Sequence, residues 1–458
     1  MADQIRFVLN GQAVELSGVS PMMTLLDWLR DRRGLKGTKE GCAEGDCGAC
    51  TVVLERADGT REAMNSCIAL LGQIDGEAVR TVEGLRGKDG VHAVQRVLAE
   101  SDATQCGFCT PGFVMSAYAF AGGGEKPDLE TIHDALAGNL CRCTGYRPIV
   151  EAMTKVAGLA VEPAPAAPTR RASAAFDEVF FSPRSLAELL KLRAQHPDAV
   201  LLAGATDLGL LASRLRRPPA KLIHLAHVRE LNVLSEDEAG VTIGAAVSYA
   251  RAMPLLIKNY PALKTYLARL GSRQIRTMGT LGGNIGTASP IGDMPPVLLA
   301  LEARLRLASV RGPREIAIDD FFLDYRKTAL APDEVIEHIS MPKLWPGEIF
   351  FCDKVSKRRD QDISTVAGAY RLRLKGGKCE DVRTGFGGMA ATPKRAVHAE
   401  EALRRGDYEE AARAIARDFR PIDDWRGSGA YRLQVAANLL RRLKLRIDGE
   451  PLVELDAL

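Results

Sequence analysis

Short patterns of apolar and polar residues along the chain predict both strands and helices. The segments IRFVL and QAVEL flank Asn10-Gly11, the strongest two-residue hairpin signal, so residues 1–16 are predicted to form a β-hairpin. Apolar residues at helical spacing predict a helix over residues 22–33, and TVVLER predicts a strand over residues 51–56. This order of elements predicts a small mixed α/β domain over residues 1–85.

Four helical segments follow in residues 86–160 and predict a small helical bundle: HAVQRVLAE, TPGFVMSAYAF, PDLETIHDALAG and YRPIVEAMTKVAG. Residues 161–175, VEPAPAAPTRRASAA, are rich in proline and alanine and predict a linker. Strands and helices then alternate over residues 176–344. The pattern changes near residue 345 and predicts a last α+β domain over residues 345–458, so the expected fold class is α+β with several domains.

Composition and charge exclude some classes of partner. The chain has 458 residues, which predicts about three or four domains at roughly 100–200 residues each. Its net charge of +3 gives no electrostatic case for binding nucleic acid or a membrane surface. No apolar run approaches the ~18 residues that span a bilayer, and the N-terminus lacks the pattern of a signal peptide. We therefore expect a soluble, cytoplasmic protein, in which clustered cysteines bind metal or act in catalysis.

The first set of cysteines is Cys42, Cys47, Cys50 and Cys67. Its C-x4-C-x2-C…C spacing is the plant-type [2Fe–2S] signature. Three thiolates must wrap one small cluster from a single loop, and the glycines between them allow the close approach that this needs. Structural zinc and plain buried cysteines are the alternatives, but zinc sites favour cysteine pairs at both ends, and here the last cysteine stands alone.

The second set is Cys106, Cys109, Cys141 and Cys143. Two close pairs also suit zinc, so this set taken alone leaves zinc and a second iron–sulfur cluster open. The C-x-C spacing is uncommon for a structural zinc site, and both pairs are predicted at the ends of helices.

Three glycine-rich segments follow strands or turns: LLAGATDL (201–208), GTLGGN (279–284) and SPIGDMPP (289–296). Bare backbone in such turns approaches phosphate oxygens closely, although most glycine-rich turns are only turns. The segment GFGGMA (385–390) nearly matches the Rossmann fingerprint, but no helix is predicted after it. We therefore interpret 385–390 as a structural turn and expect no dinucleotide site of Rossmann type.

The motifs CAEGDCGAC, QCGFCTPG and GNLCRCTGY together closely resemble the iron–sulfur part of the molybdenum hydroxylases, the xanthine dehydrogenase and aldehyde oxidase family. LLAGATDL, TLGGNIGTASPIGD and YRKT (325–328) resemble the FAD domain of the same family. The resemblance covers essentially the whole chain. It implies a β-grasp ferredoxin-like [2Fe–2S] domain, a helical-bundle [2Fe–2S] domain, a two-subdomain FAD-binding domain of the vanillyl-alcohol-oxidase and CO-dehydrogenase flavoprotein type, and an α+β C-terminal domain.

The resemblance also implies which residues hold cofactors. Both cysteine sets become ligands of [2Fe–2S] clusters, and Gln105 lies beside the pterin of a molybdenum cofactor in a partner. An ordinary polar residue before a ligand loop is the alternative for Gln105. Many relatives have glycine or asparagine where this chain has Ala205. The implied FAD contacts are Leu201, Leu202, Ala203, Gly204, Ala205, Thr206, Asp207, Leu208, Thr280, Gly283, Asn284, Asp293, Ile336 and Lys354.

Residues 353–363, DKVSKRRDQDI, form the charged loop. The ordinary interpretation of such a run is a solvated surface loop. In the xanthine dehydrogenase branch of the family, the similar loop lies beside the flavin and borders the NAD site. The resemblance therefore implies NAD as co-substrate, with Lys357, Arg358 and Asp362 in the loop that contacts it.

We expect 458 residues to leave no room for the large molybdopterin domain of the family. The chain is then the small subunit beside a large molybdopterin-binding subunit, in an assembly expected to be an (αβ)2 heterotetramer. The implied function is to pass electrons from purine (hypoxanthine or xanthine) oxidation in that subunit through two clusters to FAD and NAD+, with no catalytic side chain here beyond the cofactors. One alternative is a partner that oxidises aldehydes or other N-heterocycles, with oxygen or a quinone as acceptor. Another is a zinc-stabilised scaffold protein.

Overall fold

The structure is a computed structural model that describes residues 4–87, 90–121, 123–157, 159, 173–376 and 378–452. Within these residues, no helix combines the length and the apolar character needed to cross a bilayer.

Nineteen strands are β1 (Ile5–Leu9), β2 (Gln12–Leu16), β3 (Thr51–Glu55), β4 (Arg61–Asn65), β5 (Ala78–Arg80), β6 (Ala174–Phe176), β7 (Phe180–Ser182), β8 (Val200–Leu202), β9 (Leu222–His224), β10 (Leu234–Glu236), β11 (Gly240–Gly244), β12 (Arg304–Ser309), β13 (Gly312–Ala317), β14 (Phe322–Asp324), β15 (Lys327–Thr328), β16 (Val335–Pro342), β17 (Glu348–Val355), β18 (Val366–Lys375) and β19 (Lys378–Gly387) in the described chain.

The α-helices of the described residues are α1 (Leu25–Asp27), α2 (Ala93–Glu100), α3 (Thr110–Ala121), α4 (Leu129–Leu136), α5 (Arg147–Val156), α6 (Leu186–Gln195), α7 (Gly209–Ser213), α8 (Tyr249–Asn259), α9 (Leu263–Ala268), α10 (Arg273–Met278), α11 (Leu281–Thr287), α12 (Met294–Ala300), α13 (Val397–Arg404), α14 (Tyr408–Asp418) and α15 (Gly429–Ile447). Short 3-10 turns occur at Leu71–Ile74, Val82–Leu85, Arg229–Asn232 and Ile318–Asp320.

The chain divides into two compact units. Unit 1 consists of Met1–Leu189, Asp198–His227 and Gly271–Gly279. Unit 2 consists of Leu190–Pro197, Val228–Leu270 and Thr280–Leu458. The segment predicted to be the FAD domain (176–344) therefore contributes residues to both units.

Unit 1 begins with a five-stranded mixed sheet in the order β2-β1-β5-β3-β4. β1 pairs antiparallel with β2 and parallel with β5, and β3 pairs antiparallel with β4 and β5. The first turn places Asn10 at φ +52° and Gly11 at φ +80°. Asparagine and glycine tolerate this left-handed region best, and it is the region that the tight hairpin turn requires. The predicted hairpin is confirmed.

The helix predicted over residues 22–33 is α-helical only at its start. α1 follows Thr24, whose hydroxyl oxygen accepts a backbone N–H of the helix. A π-helical turn over Trp28–Arg32 comes next, because the N–H of Arg33 bonds the carbonyl of Trp28, five residues back. Trp28 packs edge-on against Phe7 in the core, with ring centroids 5.4 Å apart.

The helices α2, α3, α4 and α5 form the predicted bundle. α3 is apolar around its whole circumference, which is typical of a central helix, and it buries Phe113, Met115 and Phe120. The other three helices each bury one apolar face. The side chain of Asp128 caps α4 by accepting the N–H of Thr131 at 2.9 Å.

A four-stranded sheet in the order β6-β7-β9-β8 also belongs to unit 1, and its strands β7, β9 and β8 are parallel. Residues 161–172 of the predicted linker lie outside the described residues. β6 begins at Ala174 and pairs with β7, so residues 174 and 175 at the end of the predicted linker lie in a strand.

The two cysteine-bearing parts of unit 1 meet at glycines. Gly48, in the first cysteine loop, has φ +68°, and a Cβ atom there would overlap the carbonyl oxygen of Gly138. A Cβ atom on Gly112, in α3, would overlap the carbonyl oxygen of Gly48. Backbone lies directly against backbone here, so a side chain at either position has no space.

Unit 2 contains two larger antiparallel sheets. The sheet β10-β11-β16-β12-β13 shares a core with α8, α9, α11 and α12 that includes Tyr260 and Ile339. The sheet β17-β18-β19 shares a core with α13, α14 and α15 that includes Phe386. The helical stretch predicted over 397–418 is two helices, because Gly406 takes φ +78° between α13 and α14.

We predict that Gly48→Ala destabilises unit 1 by about 3 kcal/mol, from a left-handed alanine (about 1–2 kcal/mol) and overlap with backbone (about 1–3 kcal/mol). The matched control is Gly59→Ala, because Gly59 has φ +87° but nothing within 4 Å of an added Cβ. Urea unfolding of the two variants measures the difference. Equal urea midpoints for the two variants would show that the close approach of Gly48 to Gly138 adds nothing to the destabilisation.

Candidate iron–sulfur and flavin sites

The first cysteine set comes together in the interior of unit 1. Cys42, Cys47 and Cys50 lie on the loop before β3, and Cys67 follows β4. Cys50 and Cys67 are buried, and the other two are half-buried. The Sγ atom of Cys42 accepts three backbone N–H groups of its own loop at 3.3–3.4 Å. Such N–H groups stabilise negative charge on sulfur and tune the potential of a bound cluster.

The sulfurs of this set lie within hydrogen-bond reach of one another. The pKa of the Cys42 thiol is lowered to about 2, because the thiols of Cys47 and Cys67 donate to it. The pKa of Cys67 is raised by its hydrogen bonds to Cys42 and Cys50 and by burial. The pKa of Cys50 is lowered, chiefly because the Cys67 thiol donates to it. Hydrogen bonding to Cys42 and burial also raise the pKa of Cys47. Cys42 and Cys50 therefore favour thiolate, the form of cysteine that binds metal, and Cys47 and Cys67 favour the thiol.

The second set lies at the start of α3 and in the loop before α5. The Sγ atoms of Cys106 and Cys143 are 3.4 Å apart. Burial, the hydrogen bond to Cys141 and nearby thiolate charge raise the pKa of Cys109 to about 12. Cys141 is buried, whereas Cys106 and Cys143 are exposed. One edge of this set therefore faces solvent in the chain as described.

Tyr146 supports the second set, a role that no local sequence pattern indicates. Its φ of +67° lies in the left-handed region, which bulky residues rarely adopt. Its hydroxyl accepts the N–H of Cys141 at 2.9 Å, and its ring packs edge-on against Phe113. The side chain thereby fixes the backbone at Cys141, one of the cysteines of the second set.

Each set fits a two-iron cluster. Among the described residues, no group of three or more His, Cys, Asp or Glu side chains is placed to hold a single metal ion. In the first set, Cys42 lies within hydrogen-bond reach of Cys47 and Cys67, and Cys67 also reaches Cys50. In the second set, Cys106 meets Cys143 and Cys109 meets Cys141. Four thiols gathered in this way can supply two thiolates to each of two metal atoms.

A backbone hydrogen bond joins the segments that carry the two sets. The N–H of Leu140, the residue before Cys141, donates to the carbonyl of Cys47 at 3.0 Å. Asn139 donates its side-chain amide to the carbonyl of Gly48 at 3.1 Å. Cysteines of both sets therefore lie on directly hydrogen-bonded backbone segments.

Helix α10 contacts the same junction through residues that the sequence did not reveal. Gln274 is buried, and its Nε2 donates to Asn139 at 3.1 Å and to Ser116 at 3.2 Å. Arg273 donates to Asp134 at 2.6 Å. These partners are more than 100 residues away in sequence, so no local pattern identifies them.

The first predicted FAD segment (201–208) lies in unit 1, between β8 and α7. A Cβ atom on Gly204 would overlap the carbonyl oxygen of Met278. Ala205 is buried with φ +62°, a conformation that costs alanine roughly 1–2 kcal/mol and that glycine or asparagine adopts more easily. Ser213, at the end of α7, donates to the carbonyl of Ala43 at 2.8 Å, so the helix after this turn is attached to the first cysteine loop.

The second predicted FAD segment lies in unit 2, at the start of α11. The hydroxyl oxygen of Thr280 caps this helix by accepting the N–H of Gly283 at 2.9 Å. The Oδ1 atom of Asn284 is buried and has no hydrogen-bond partner in the structure. A buried amide oxygen without a partner is costly, and a polar group of a bound cofactor would satisfy it. The residues present therefore fit FAD.

Asp293 and Lys354, both predicted FAD contacts, form an ion pair in unit 2 in which Lys354 is buried and Asp293 is partly buried. The Nζ atom of Lys354 donates to Oδ2 of Asp293 at 2.6 Å, and the hydroxyl of Ser364 donates to Oδ1 at 2.6 Å. The hydroxyl of Tyr266 donates to the backbone carbonyl of Asp293 at 2.6 Å. Ile336 is buried on β16, where it pairs with β12.

The charged loop follows β17 and is internally hydrogen-bonded. The carboxylate of Asp362 accepts the backbone N–H groups of Lys357 and Arg358 at 2.8 and 2.9 Å. The side chains of Lys357 and Arg358 are exposed. Asp362 thus shapes the loop, while the two basic residues face solvent.

Trp425 lies beside this loop, and the sequence did not single it out. Its carbonyl accepts the Nζ of Lys357 at 2.6 Å. Its ring is 70% exposed, and the guanidinium of Arg426 lies over it at 3.9 Å. A flat exposed aromatic surface beside basic side chains suits a nucleotide base and its phosphates.

The segment 385–390 contains no Rossmann turn. Gly385 and Gly387 belong to β19, where Gly385 lies against the backbone of Pro296. No helix begins directly after this segment, since α13 starts at Val397. The interpretation of these glycines as structural is in accord with the strand.

Four family models match the chain in sequence order. They describe a 2Fe-2S iron-sulfur cluster binding domain (residues 7–71), a [2Fe-2S] binding domain (81–154), an FAD binding domain in molybdopterin dehydrogenase (174–344) and a CO dehydrogenase flavoprotein C-terminal domain (352–447). The chain belongs to the molybdenum hydroxylase family. It carries two [2Fe–2S] domains and an FAD-binding domain, which confirms the expected multidomain α+β class.

Curated relatives include xanthine dehydrogenases of animals and plants. The xanthine dehydrogenase/oxidase of Gallus gallus is 32% identical, over 89% of this chain and 37% of the relative. That of Rattus norvegicus is 34% identical, over 85% of this chain and 34% of the relative. Xanthine dehydrogenase 1 of Arabidopsis thaliana is 34% identical, over 83% of this chain and 34% of the relative. The chain thus spans about a third of the length of these relatives.

Solved structures of other family members match part of the chain. A carbon monoxide dehydrogenase from Hydrogenophaga pseudoflava matches with a TM-score of 0.55 and 29% identity, over 58% of this chain and 94% of that one. Quinoline 2-oxidoreductase from Pseudomonas putida 86 matches with a TM-score of 0.54 and 28% identity, over 61% of this chain and 99% of that one.

We predict that each cysteine set holds one cluster independently. Cys50→Ala and Cys143→Ala should each lower the iron content from about four to about two atoms per chain, and each should remove a different [2Fe–2S] signal from the EPR spectrum of the reduced protein. Cys379→Ala, which removes a buried cysteine outside both sets, should leave iron and spectra unchanged. Zinc in place of iron, or full iron content in either ligand variant, would contradict the assignment.

Proposed function

We propose that this chain is the electron-transfer subunit of a xanthine dehydrogenase. It takes electrons from purine (hypoxanthine or xanthine) oxidation at a molybdopterin centre in a partner subunit and passes them through two [2Fe–2S] clusters and FAD to NAD+. The observation that carries the proposal is the hydrogen bond between Leu140 and Cys47, which joins two thiol sets in one compact unit. Electrons need such a continuous, closely spaced path.

The second cysteine set is the proposed entry point. Cys106 and Cys143 are exposed, and Phe108, Leu140 and Tyr146 expose apolar surface around them. Apolar side chains beside a redox centre suit a protein partner that excludes water. We propose that the large molybdopterin subunit docks here, with Gln105, which is also exposed, against its pterin, in an (αβ)2 assembly.

We place the electron path from the second set to the first along the backbone that joins Cys141 to Cys47. This path runs from Cys141 to Leu140 and across the hydrogen bond from Leu140 to the carbonyl of Cys47. Ser213 attaches α7 to the first cysteine loop. Clusters carry single electrons, and flavin when bound accepts them singly and releases a hydride. The turn at 201–208, Thr280, Gly283, Asn284, Asp293, Ile336 and Lys354 are the proposed FAD contacts.

The charged loop is the proposed site of NAD. Lys357 and Arg358 expose basic groups suited to phosphates, and Trp425 provides a flat surface suited to a base. Asp362 holds the loop in shape rather than contacting the nucleotide directly.

A second candidate keeps the architecture and changes the substrate. Solved structures that match include carbon monoxide and quinoline enzymes, at 28–29% identity. The partner would then oxidise an aldehyde or another N-heterocycle, with oxygen or a quinone as acceptor.

Anaerobic addition of NADH to the purified protein tests the NAD site. We expect bleaching of both flavin and iron–sulfur absorbance. Arg358→Ala should raise the dissociation constant for NADH by about tenfold, or ~1.4 kcal/mol, because one contact to phosphate is lost. The control Arg405→Ala removes an exposed arginine elsewhere in unit 2 and should leave NADH binding unchanged.

A brown, flavin-containing protein that NADH leaves oxidised would favour the second candidate. An equal effect of Arg358→Ala and Arg405→Ala would remove the charged loop from the proposal.

A further inference from the structure

Gln274 connects the two segments that carry the cysteine sets. Its side chain is fully buried, and its Nε2 atom donates to Oδ1 of Asn139 at 3.1 Å and to the hydroxyl of Thr51 at 3.3 Å. Thr51 directly follows Cys50 of the first set, and Asn139 lies two residues before Cys141 of the second. One buried amide therefore bonds a residue beside each set.

The amide of Asn139 is held in one orientation by its partners. Its Oδ1 atom accepts the hydroxyl of Ser116 at 2.6 Å and the amide of Gln274. Its Nδ2 atom lies at the other end and donates to the carbonyl of Gly48 at 3.1 Å. A reversed amide would place its NH2 group against that of Gln274 and its oxygen against the carbonyl oxygen of Gly48. Gln274 therefore determines which end of Asn139 faces the first cysteine loop.

Gly138 leaves the space that the amide of Gln274 occupies. A Cβ atom at Gly138 would lie 1.9 Å from Oε1 of Gln274 and 2.7 Å from its Nε2 atom, so any other residue would displace the amide. Because the amide is packed against this backbone and is fully buried, water does not compete for its hydrogen bonds.

We propose that Gln274 is a positioning residue for electron transfer between the two clusters. By orienting Asn139, it keeps an N–H donor on the first cysteine loop, and this donor raises the reduction potential of the first cluster relative to the second. The inference rests on the proposed function, in which electrons pass from the second set to the first.

The effect on the potential is electrostatic. A cluster gains negative charge when it is reduced, so hydrogen-bond donors around it favour the reduced form. The carbonyl of Gly48 lies between two ligand cysteines and presents its negative end, which the donor from Asn139 offsets. Without Gln274, Asn139 keeps only the hydroxyl of Ser116, and its amide can turn its oxygen towards the loop. The first cluster then becomes harder to reduce.

A redox titration of the whole protein, with dithionite as reductant and EPR as the readout, measures the difference between the two cluster potentials. Iron content is measured on the same samples. The variant is Gln274→Met, which keeps the length of the side chain and removes the amide. The matched control is Arg273→Met on the same helix, because Arg273 bonds Asp134 and Glu125 and so attaches α10 away from Asn139.

We expect Gln274→Met to keep its full iron content and to lower the equilibrium constant for electron transfer from the second cluster to the first by at least about threefold, which is ~28 mV for one electron. Arg273→Met should keep the wild-type difference. A wild-type difference in Gln274→Met would overturn the inference. An equal shift in Arg273→Met would also overturn it, because the effect would then come from the attachment of α10 in general.

If Gln274→Met loses iron, Ser116→Ala decides, because it removes the other donor to Oδ1 of Asn139 and leaves Gln274 in place. Full iron content with a shift of the same sign would support the role of the Asn139 orientation. An unchanged difference, or loss of iron here too, would overturn it. Dithionite reduction needs neither NAD nor a partner subunit, so a protein that NADH leaves oxidised would refute the proposed function and not this inference.

Discussion

The contact between the first cysteine loop and the backbone before Cys141 is the constraint on which unit 1 depends. The carbonyl of Cys47 accepts the N–H of Leu140, and Gly48 lies so close to Gly138 that no side chain fits between them. This contact places the backbone segments that carry the two sets of thiols directly against each other. The glycines are therefore fixed by geometry, since any larger residue would separate the sets.

Buried polar side chains hold the segments that must not move. Gln274 joins α10 to the junction of the two cysteine-bearing parts through Asn139. In unit 2, Asp293 accepts donors from Lys354 and Ser364. Polar groups in an apolar interior are stabilising only when their partners are placed correctly, so such networks specify one arrangement. They are suited to positioning redox groups, whose electron transfer requires short, fixed distances.

The surface of the chain shows two different kinds of exposed apolar group. Phe108 and Leu140 lie beside exposed thiols, whereas Trp425 lies beside basic side chains with Arg426 over its ring. The first combination suits a protein surface and the second suits a nucleotide. Both kinds of exposed group lie in a chain that spans about a third of the length of its curated relatives.

The sequence by itself determined the ligand sets and the order of the domains. The spacing from Cys42 to Cys67 and the hairpin at Asn10-Gly11 are local patterns, because a loop that wraps a cluster and a two-residue turn each fix residue types a few positions apart. Only the tertiary structure revealed Gln274 and Ser364, and it also divided the predicted FAD domain between two units. Gln274 meets Asn139 across 135 residues, and Ser364 meets Asp293 across 71. Hydrogen bonds over such separations leave no periodic or spacing signal, since they depend on how the chain packs and not on neighbouring residues.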